Sequence, residues 1–409
     1  MSQTPSNSHS DDNRFRDLLP KGFRFAGVAC GLKTSGKKDV ALLVSDDPLV
    51  AGGVYTQNQI VAAPVVNCQS KTPSQAIRAV VANSGNANAC TGEQGVEDAA
   101  AMCRSVAEHL GCTPDQVLVM STGVIGVHLE MPKVQVGISQ ACSQLGSNAD
   151  DFLMAADAIC TTDQSRKVAS SSFDIDGEAV RLVGMAKGAG MIAPNMATML
   201  SVVITDVKMT AEQAQTMLKR ACDASFNRIS VDGHTSTNDT VLLLSSGATQ
   251  VELNAQSESD FQAALNQLLQ DLAKLIVLDG EGAKYMMAIE VKGAIDDDQA
   301  FEIAKTVAAS PLVKTAITGS DPNWGRIVSA AGYAKAIIEP ESTSLKICDE
   351  TIYKNGKPVN FNAADLSSRM RASREVSLTL QVGTGEGKAN YWSSDLTTAY
   401  VEFNSEYTT

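Results

Sequence analysis

Apolar positions change their spacing along the chain, and each change marks an element. From Glu93 to Leu110 the side chains Val96, Ala99, Cys103, Val106, Ala107 and Leu110 recur on one helical face, with Gly111 as the stop. The unbroken apolar runs Val40–Val44 and Ala79–Ala82 are too short for helices and predict buried strands. Thr113-Pro114 opens a brief helical turn, after which VLVM predicts a strand ending in Ser121-Thr122-Gly123. LSVVITDV, from Leu200 to Val207, predicts another strand. Thr210 with Gln213 three positions on forms a capping box ahead of a helix whose stripe is Ala214, Met217, Leu218 and Ala221. A longer helix is marked by Phe261, Leu265, Leu268, Leu269, Leu272 and Ile276, running into the turn LDGEGAKY and a strand from Tyr285 to Val291. Helices and strands alternate without the regular order of a doubly wound parallel sheet, so the expected class is mixed α/β.

Three Gly- and Asn-rich segments interrupt these elements: Asn83–Gly92, Val231–Thr240 and Gly319–Arg326. Such loops serve as tight turns or present backbone N–H groups and small polar side chains to a ligand. The GTGEGK stretch at Gly383–Lys388 lacks the first glycine of a phosphate loop and carries Ala389 where the magnesium-binding hydroxyl belongs.

With 409 residues the chain can build a large core, in two lobes. A net charge of -13 argues against nucleic acid or an anionic membrane as partner, because phosphate binding needs a concentrated Lys/Arg field. No apolar run reaches the ~18–20 residues of a membrane span, and the start, MSQTPSNSHSDDNR, is polar; a cytoplasmic protein with a disordered leader over residues 1–17 is expected. Nine cysteines without a C-x-x-C pair, and the scattered His9, His109, His128 and His234, predict neither a disulfide framework nor a metal site.

Candidate chemistry concentrates in KGAGMIAPNMATML, Lys187 to Leu200. If the Ala197-Thr198 bond is cut by attack of the Thr198 hydroxyl on the preceding carbonyl, the freed α-amine sits on the same residue as the hydroxyl and can act as its base. Ala197 leaves the carbonyl accessible, and Gly188, Gly190 and Pro194 permit a bent backbone. Read alone, the dipeptide is more simply an ordinary strand entrance with Thr chosen for β-propensity.

In order along the chain, KGAGMIAPNMATML, DGHTSTNDT, LDGEGA and DPNWGR resemble the ornithine acetyltransferase (ArgJ) family, also called glutamate N-acetyltransferase. The resemblance runs from KGFRFAGVACGLK at Lys21 to the terminal NSEYTT. It implies two β-sheets layered between helices, a fold shared with related aminopeptidases of the DmpA type. It also implies autoprocessing into an α chain, 18–197, and a β chain, 198–409, that stay associated as α2β2. Thr198 is the implied nucleophile, taking acetyl from N-acetylornithine and passing it to glutamate. Thr122 and Gly123 are implied as the oxyanion hole. Thr161 (with Thr162 as its neighbouring alternative), Lys187, Thr198, Glu281, Asn404 and Thr409 are implied as substrate-binding. Acetyl-CoA is a second donor in some members, and no other cofactor is implied. His234 and Ser394 depart from the family's usual acidic residue and Cys. Two other readings remain at this stage: a Thr-nucleophile aminopeptidase or amidohydrolase, and a non-catalytic binder of acidic amino acids.

Overall fold

The structure, a computed structural model, describes residues 15, 18–193 and 199–406. Its strands form two sheets. The first holds β1 (Arg24–Val28), β2 (Val40–Tyr55), β3 (Ser74–Asn86), β4 (Val117–Val124), β5 (Lys167–Ile175), β6 (Glu178–Lys187), β7 (Leu200–Thr205) and β9 (Thr240–Ser245). Their order is β4-β3-β2-β9-β7-β6-β5, with β1 paired to β2. The second holds β8 (Ile229–Ser230), β10 (Met286–Ala294), β11 (Ser344–Ile347), β12 (Glu350–Lys354), β13 (Lys357–Pro358), β14 (Glu375–Gln381) and β15 (Gly387–Ser394). It is ordered β13-β12-β11-β14-β10-β15-β8. Parallel pairs (β3 with β4, β7 with β9) and antiparallel ones coexist, which is the expected mixed class.

Alternation of side chains along each strand divides the apolar residues between layers. On β7, Leu200, Val202 and Ile204 face a core built with the helices Gly92–Leu110, Met131–Ser143 and Ala149–Ile159. Val203 faces the opposite way, toward the helices Ala211–Asp223 and Ala255–Leu278. These two helices fill the space between the sheets, since Met286 and Trp392 of the second sheet join the same apolar cluster. Their neighbours Met287 and Tyr391 point to the far side, covered by the helices Asp297–Ala309, Pro311–Thr318 and Trp324–Gly332. Two sheets layered between helices is therefore the observed architecture. Among the described residues, no helix is long and apolar enough to cross a membrane.

Local predictions hold where the signal is local. The Thr210–Gln213 capping box forms in both directions, at 3.1 and 2.8 Å, and the predicted stripes of the helices Ala211–Asp223 and Ala255–Leu278 are buried. In the helix Gly92–Leu110, however, Val96 is 59% exposed. The buried face runs instead through Gly95, Ala99, Met102, Cys103 and Val106. Val96, one residue after Gly95, is turned about 100° from it. The runs 40–44 and 79–82 mark only the buried parts of β2 and β3, and β2 shifts register between Val44 and Leu49. Residues 1–14, 16 and 17 of the expected leader lie outside the described residues. Phe15 within it is buried, its ring 6.3 Å from that of Phe152.

The strand that follows the 197/198 junction belongs to a sheet built from segments on both sides of it. β7, which starts just after that junction, lies in the interior of the first sheet between β6 and β9, with Lys187 paired to Leu200 and Leu200 to Thr240. Both its faces are apolar and covered by helices, as befits a central strand of a sheet buried on both sides.

One ion cluster fixes the loops beside this junction. Lys167 Nζ, 1% exposed, donates to Asp163 Oδ1 at 2.6 Å and to Asp279 Oδ2 at 2.5 Å. Asp163 also accepts the N–H of Thr161 (2.8 Å) and of Gly188 (2.7 Å). Burial alone would raise the Asp163 pKa, but the charges of Lys167 and Lys187 and these hydrogen bonds hold it well below the usual carboxylate range.

Removing one partner leaves the others buried and uncompensated. Lys167→Met should therefore lose about 3–5 kcal/mol of stability, measured by urea denaturation at neutral pH. Because the folded carboxyl of Asp163 titrates below its unfolded value of about 3.9, its contribution is present above that pH and is lost as pH falls through the folded pKa. The stability gap between wild type and Lys167→Met should accordingly narrow in acid.

Candidate active site

The last stretch of β4 carries Thr122, whose side chain is buried, and Gly123, just before its final residue Val124. Gly123 adopts φ 135, and a Cβ there would lie 2.3 Å from the Gly85 carbonyl carbon, so both backbone conformation and space require glycine. Lys187, at the end of β6, is 3% exposed, and its Nζ donates to Thr122 Oγ1 at 3.4 Å. Two strand ends of the first sheet thus place a cation beside a hydroxyl and a sterically constrained glycine.

Glu281 reaches the same place from the turn after the helix Ala255–Leu278. Its Oε1 accepts from Thr162 Oγ1 at 2.7 Å, its Oε2 from Asn404 Nδ2 at 3.0 Å, and its N–H donates to the Ala189 carbonyl at 2.8 Å. Gly190 is required beside it, since a Cβ there would lie 2.3 Å from Glu281 Oε2. Asn404 stands on the helix Thr398–Glu406. Thr122, Gly123, Thr161, Lys187, Glu281 and Asn404, which the sequence places in separate segments, line one cavity of about 210 Å³. Thr162 lines it too, with its hydroxyl spent on Glu281, while the Thr161 side chain is left to the cavity. Ala197, Thr198 and Thr409 lie outside the described residues.

The structure adds carboxylates that sequence reasoning left unassigned. Asp232 accepts the N–H of Met191 (2.7 Å) and of Ile192 (3.0 Å), holding a turn in which Met191 adopts φ 57. Asp239 is fully buried; its Oδ1 accepts the N–H of Met199 at 2.9 Å, and its Oδ2 has no hydrogen-bond partner among the described residues. Burial pushes the Asp239 carboxyl well above its ordinary pKa, against the opposing Met199 N–H and Lys187 charge. These two residues of one loop hold the chain on either side of residues 194–198. Asn238, between them, donates from Nδ2 to the carbonyls of Ala87 (2.6 Å) and Ser121 (2.9 Å), joining that loop to the end of β4. The available signal was the concentration of Asp, Asn and Ser in Val231–Thr240, which marked a loop without saying which side chains would turn inward. Gly319–Arg326, by contrast, is structural: Asn323 Oδ1 caps the helix Trp324–Gly332 by accepting the Arg326 N–H at 3.1 Å.

This arrangement offers a carbonyl oxygen a hydroxyl and a cation, and offers an amino-acid ligand one cation, one carboxylate and neutral donors. Comparison with known proteins finds similarity over nearly the whole chain. The chain is 57% identical over 396 residues to the arginine biosynthesis bifunctional protein ArgJ of Rhodopirellula baltica, covering 96% of this chain and 97% of that one. It is 44% identical over 390 residues to the protein of the same name from Nitratidesulfovibrio vulgaris, covering 95% and 98%. A crystal structure of the ArgJ protein from Bacillus halodurans is 36% identical, covering 50% of this chain and 98% of that chain, with a TM-score of 0.49. The ArgJ family model matches residues 24–409, which takes in both sheets and every described wall of the cavity, and the chain belongs to the ArgJ family.

Proposed function

We propose that this protein transfers an acetyl group from N-acetylornithine to glutamate, giving ornithine and N-acetylglutamate in arginine biosynthesis, with Thr198 holding the group between the two steps. The observation that carries the reading is the convergence of Thr122, Gly123, Lys187, Glu281 and Asn404 on one cavity, whose wall includes Met191 and the loop that holds Met199. The names of the relatives support the pathway.

Cleavage before Thr198 frees an α-amine that takes the proton of its own hydroxyl as that oxygen attacks the acetyl carbonyl. Negative charge then develops on the carbonyl oxygen, where the Thr122 hydroxyl and the Gly123 N–H are suited to receive it. Lys187 adds positive charge beside Thr122, and its remaining N–H donors suit a substrate carboxylate. The C–N bond to ornithine breaks, the proton passes to the leaving amine, and the acetyl remains as an ester on Thr198. Attack by the glutamate amine reverses these steps. After the cut the two pieces stay joined because β7 is hydrogen-bonded to β6 of the α chain. The resemblance carries the further proposals of an α2β2 assembly, a cytoplasmic location, substrate contacts at Thr161 and Thr409, and acetyl-CoA as a second donor.

Intact mass spectrometry after brief exposure to N-acetylornithine tests the reading. A gain of about 42 Da should appear on the 198–409 piece alone. Thr198→Ala should run as one uncleaved chain and take up no acetyl; full transfer by this variant would remove the mechanism. Thr122→Ala should be cleaved and fold normally, yet lose roughly 10²–10³-fold in kcat, as for one missing oxyanion donor. Wild-type turnover in that variant would exclude Thr122 from the hole.

A further inference from the structure

The proposed transfer asks one cavity to accept opposite charges at the same end of two ligands. N-Acetylornithine has a carboxylate beside the acetylated nitrogen and an ammonium at its side-chain end. Glutamate has a carboxylate in both places. Lys187 answers the carboxylate that the two share. Glu281, already accepting from Thr162 and Asn404, answers the ornithine ammonium but repels the second carboxylate of glutamate.

Among the described lining residues, Lys187 and His234 are the side chains able to carry positive charge. The others that bear on charge are Asp232, Glu281 and Tyr400. Asp232 has its oxygens on the N–H groups of Met191, Ile192 and His234, and burial with the Asp232 charge pushes the Tyr400 phenol up to about 12, so that it stays neutral. The α-amine freed at Thr198 is committed to proton transfer. His234 is exposed at the cavity, its backbone N–H on Asp232 Oδ1 at 3.1 Å, and its ring makes no hydrogen bond among the described residues.

We propose that His234 determines acceptor specificity: its imidazole, as a cation, pairs with the side-chain carboxylate of glutamate. This rests on the acetyl-transfer reading. Imidazole suits the task because it carries no permanent charge, whereas a fixed cation would oppose the ornithine ammonium throughout the cycle.

The test separates the two half-reactions. In His234→Gln the glutamate KM, taken relative to that of N-acetylornithine, should rise about tenfold, the order expected from losing one charge-assisted hydrogen bond. His234→Arg, which keeps positive charge at the position, should hold the glutamate KM within about threefold of wild type. A Gln variant with the wild-type glutamate KM, an equal rise for both substrates, or an Arg variant as poor as Gln overturns the assignment. Absence of the acetyl adduct in the wild type would instead overturn the transfer reading, and this assignment with it.

Discussion

The buried ammonium of Lys167 is the point on which the cavity walls depend. It lies between Asp163 and Asp279, whose remaining lone pairs accept backbone N–H groups from Thr161, Gly188 and Gln164. Three segments far apart in sequence, those around 161–164, 187–190 and 279–281, therefore meet at one charge. A buried pair does not gain much over an apolar substitute of equal shape, because desolvation consumes most of the attraction. What it supplies here is direction: carboxylates accept from backbone donors along set lines, and apolar packing could not hold three irregular segments in register.

The same device recurs wherever the chain leaves regular structure near the site. Asp39 accepts the N–H groups of Cys30, Gly31, Leu32 and Lys33, Asp232 those of Met191 and Ile192, and Asp239 that of Met199. Part of the acidic balance of the chain is thus internal, spent on ordering loops and not on a partner. The positive charge in the pocket is local to its Thr122 end, where Lys187 stands, while Glu281 faces the cavity from another wall.

The sheet order gives the proposed cut before Thr198 a simple structural consequence. A cut between residues 197 and 198 falls just ahead of β7, and β7 is paired on one side with β6, from before the cut, and on the other with β9, from after it. The junction divides the chain but not the sheet. Separation of the pieces would expose two apolar faces and a ladder of unpaired N–H and C=O groups, a cost far larger than the loss of one peptide bond.

Much of this was legible in the sequence. The capping box at Thr210, the stripe from Phe261 to Ile276 and the strand entered at Leu200 are decided by residues within a turn or two of one another, and the structure shows each of them. Thr122, Lys187, Glu281 and Asn404 could be named through the family resemblance, whereas their residue types alone fit a strand-ending turn and surface positions equally well. What only the tertiary structure decided is which of these groups meet. Glu281 finds Thr162 and Asn404 at separations of 119 and 123 residues, and Asp239 is drawn to Met199 across 40. Val96 looked apolar enough to be inside, yet the face that meets the core carries Gly95 and Ala99 and leaves it exposed. Periodicity and capping are short-range preferences of the chain itself. The partner of a buried carboxylate is settled by the order in which strands pair, and that order becomes readable only when the whole core has closed.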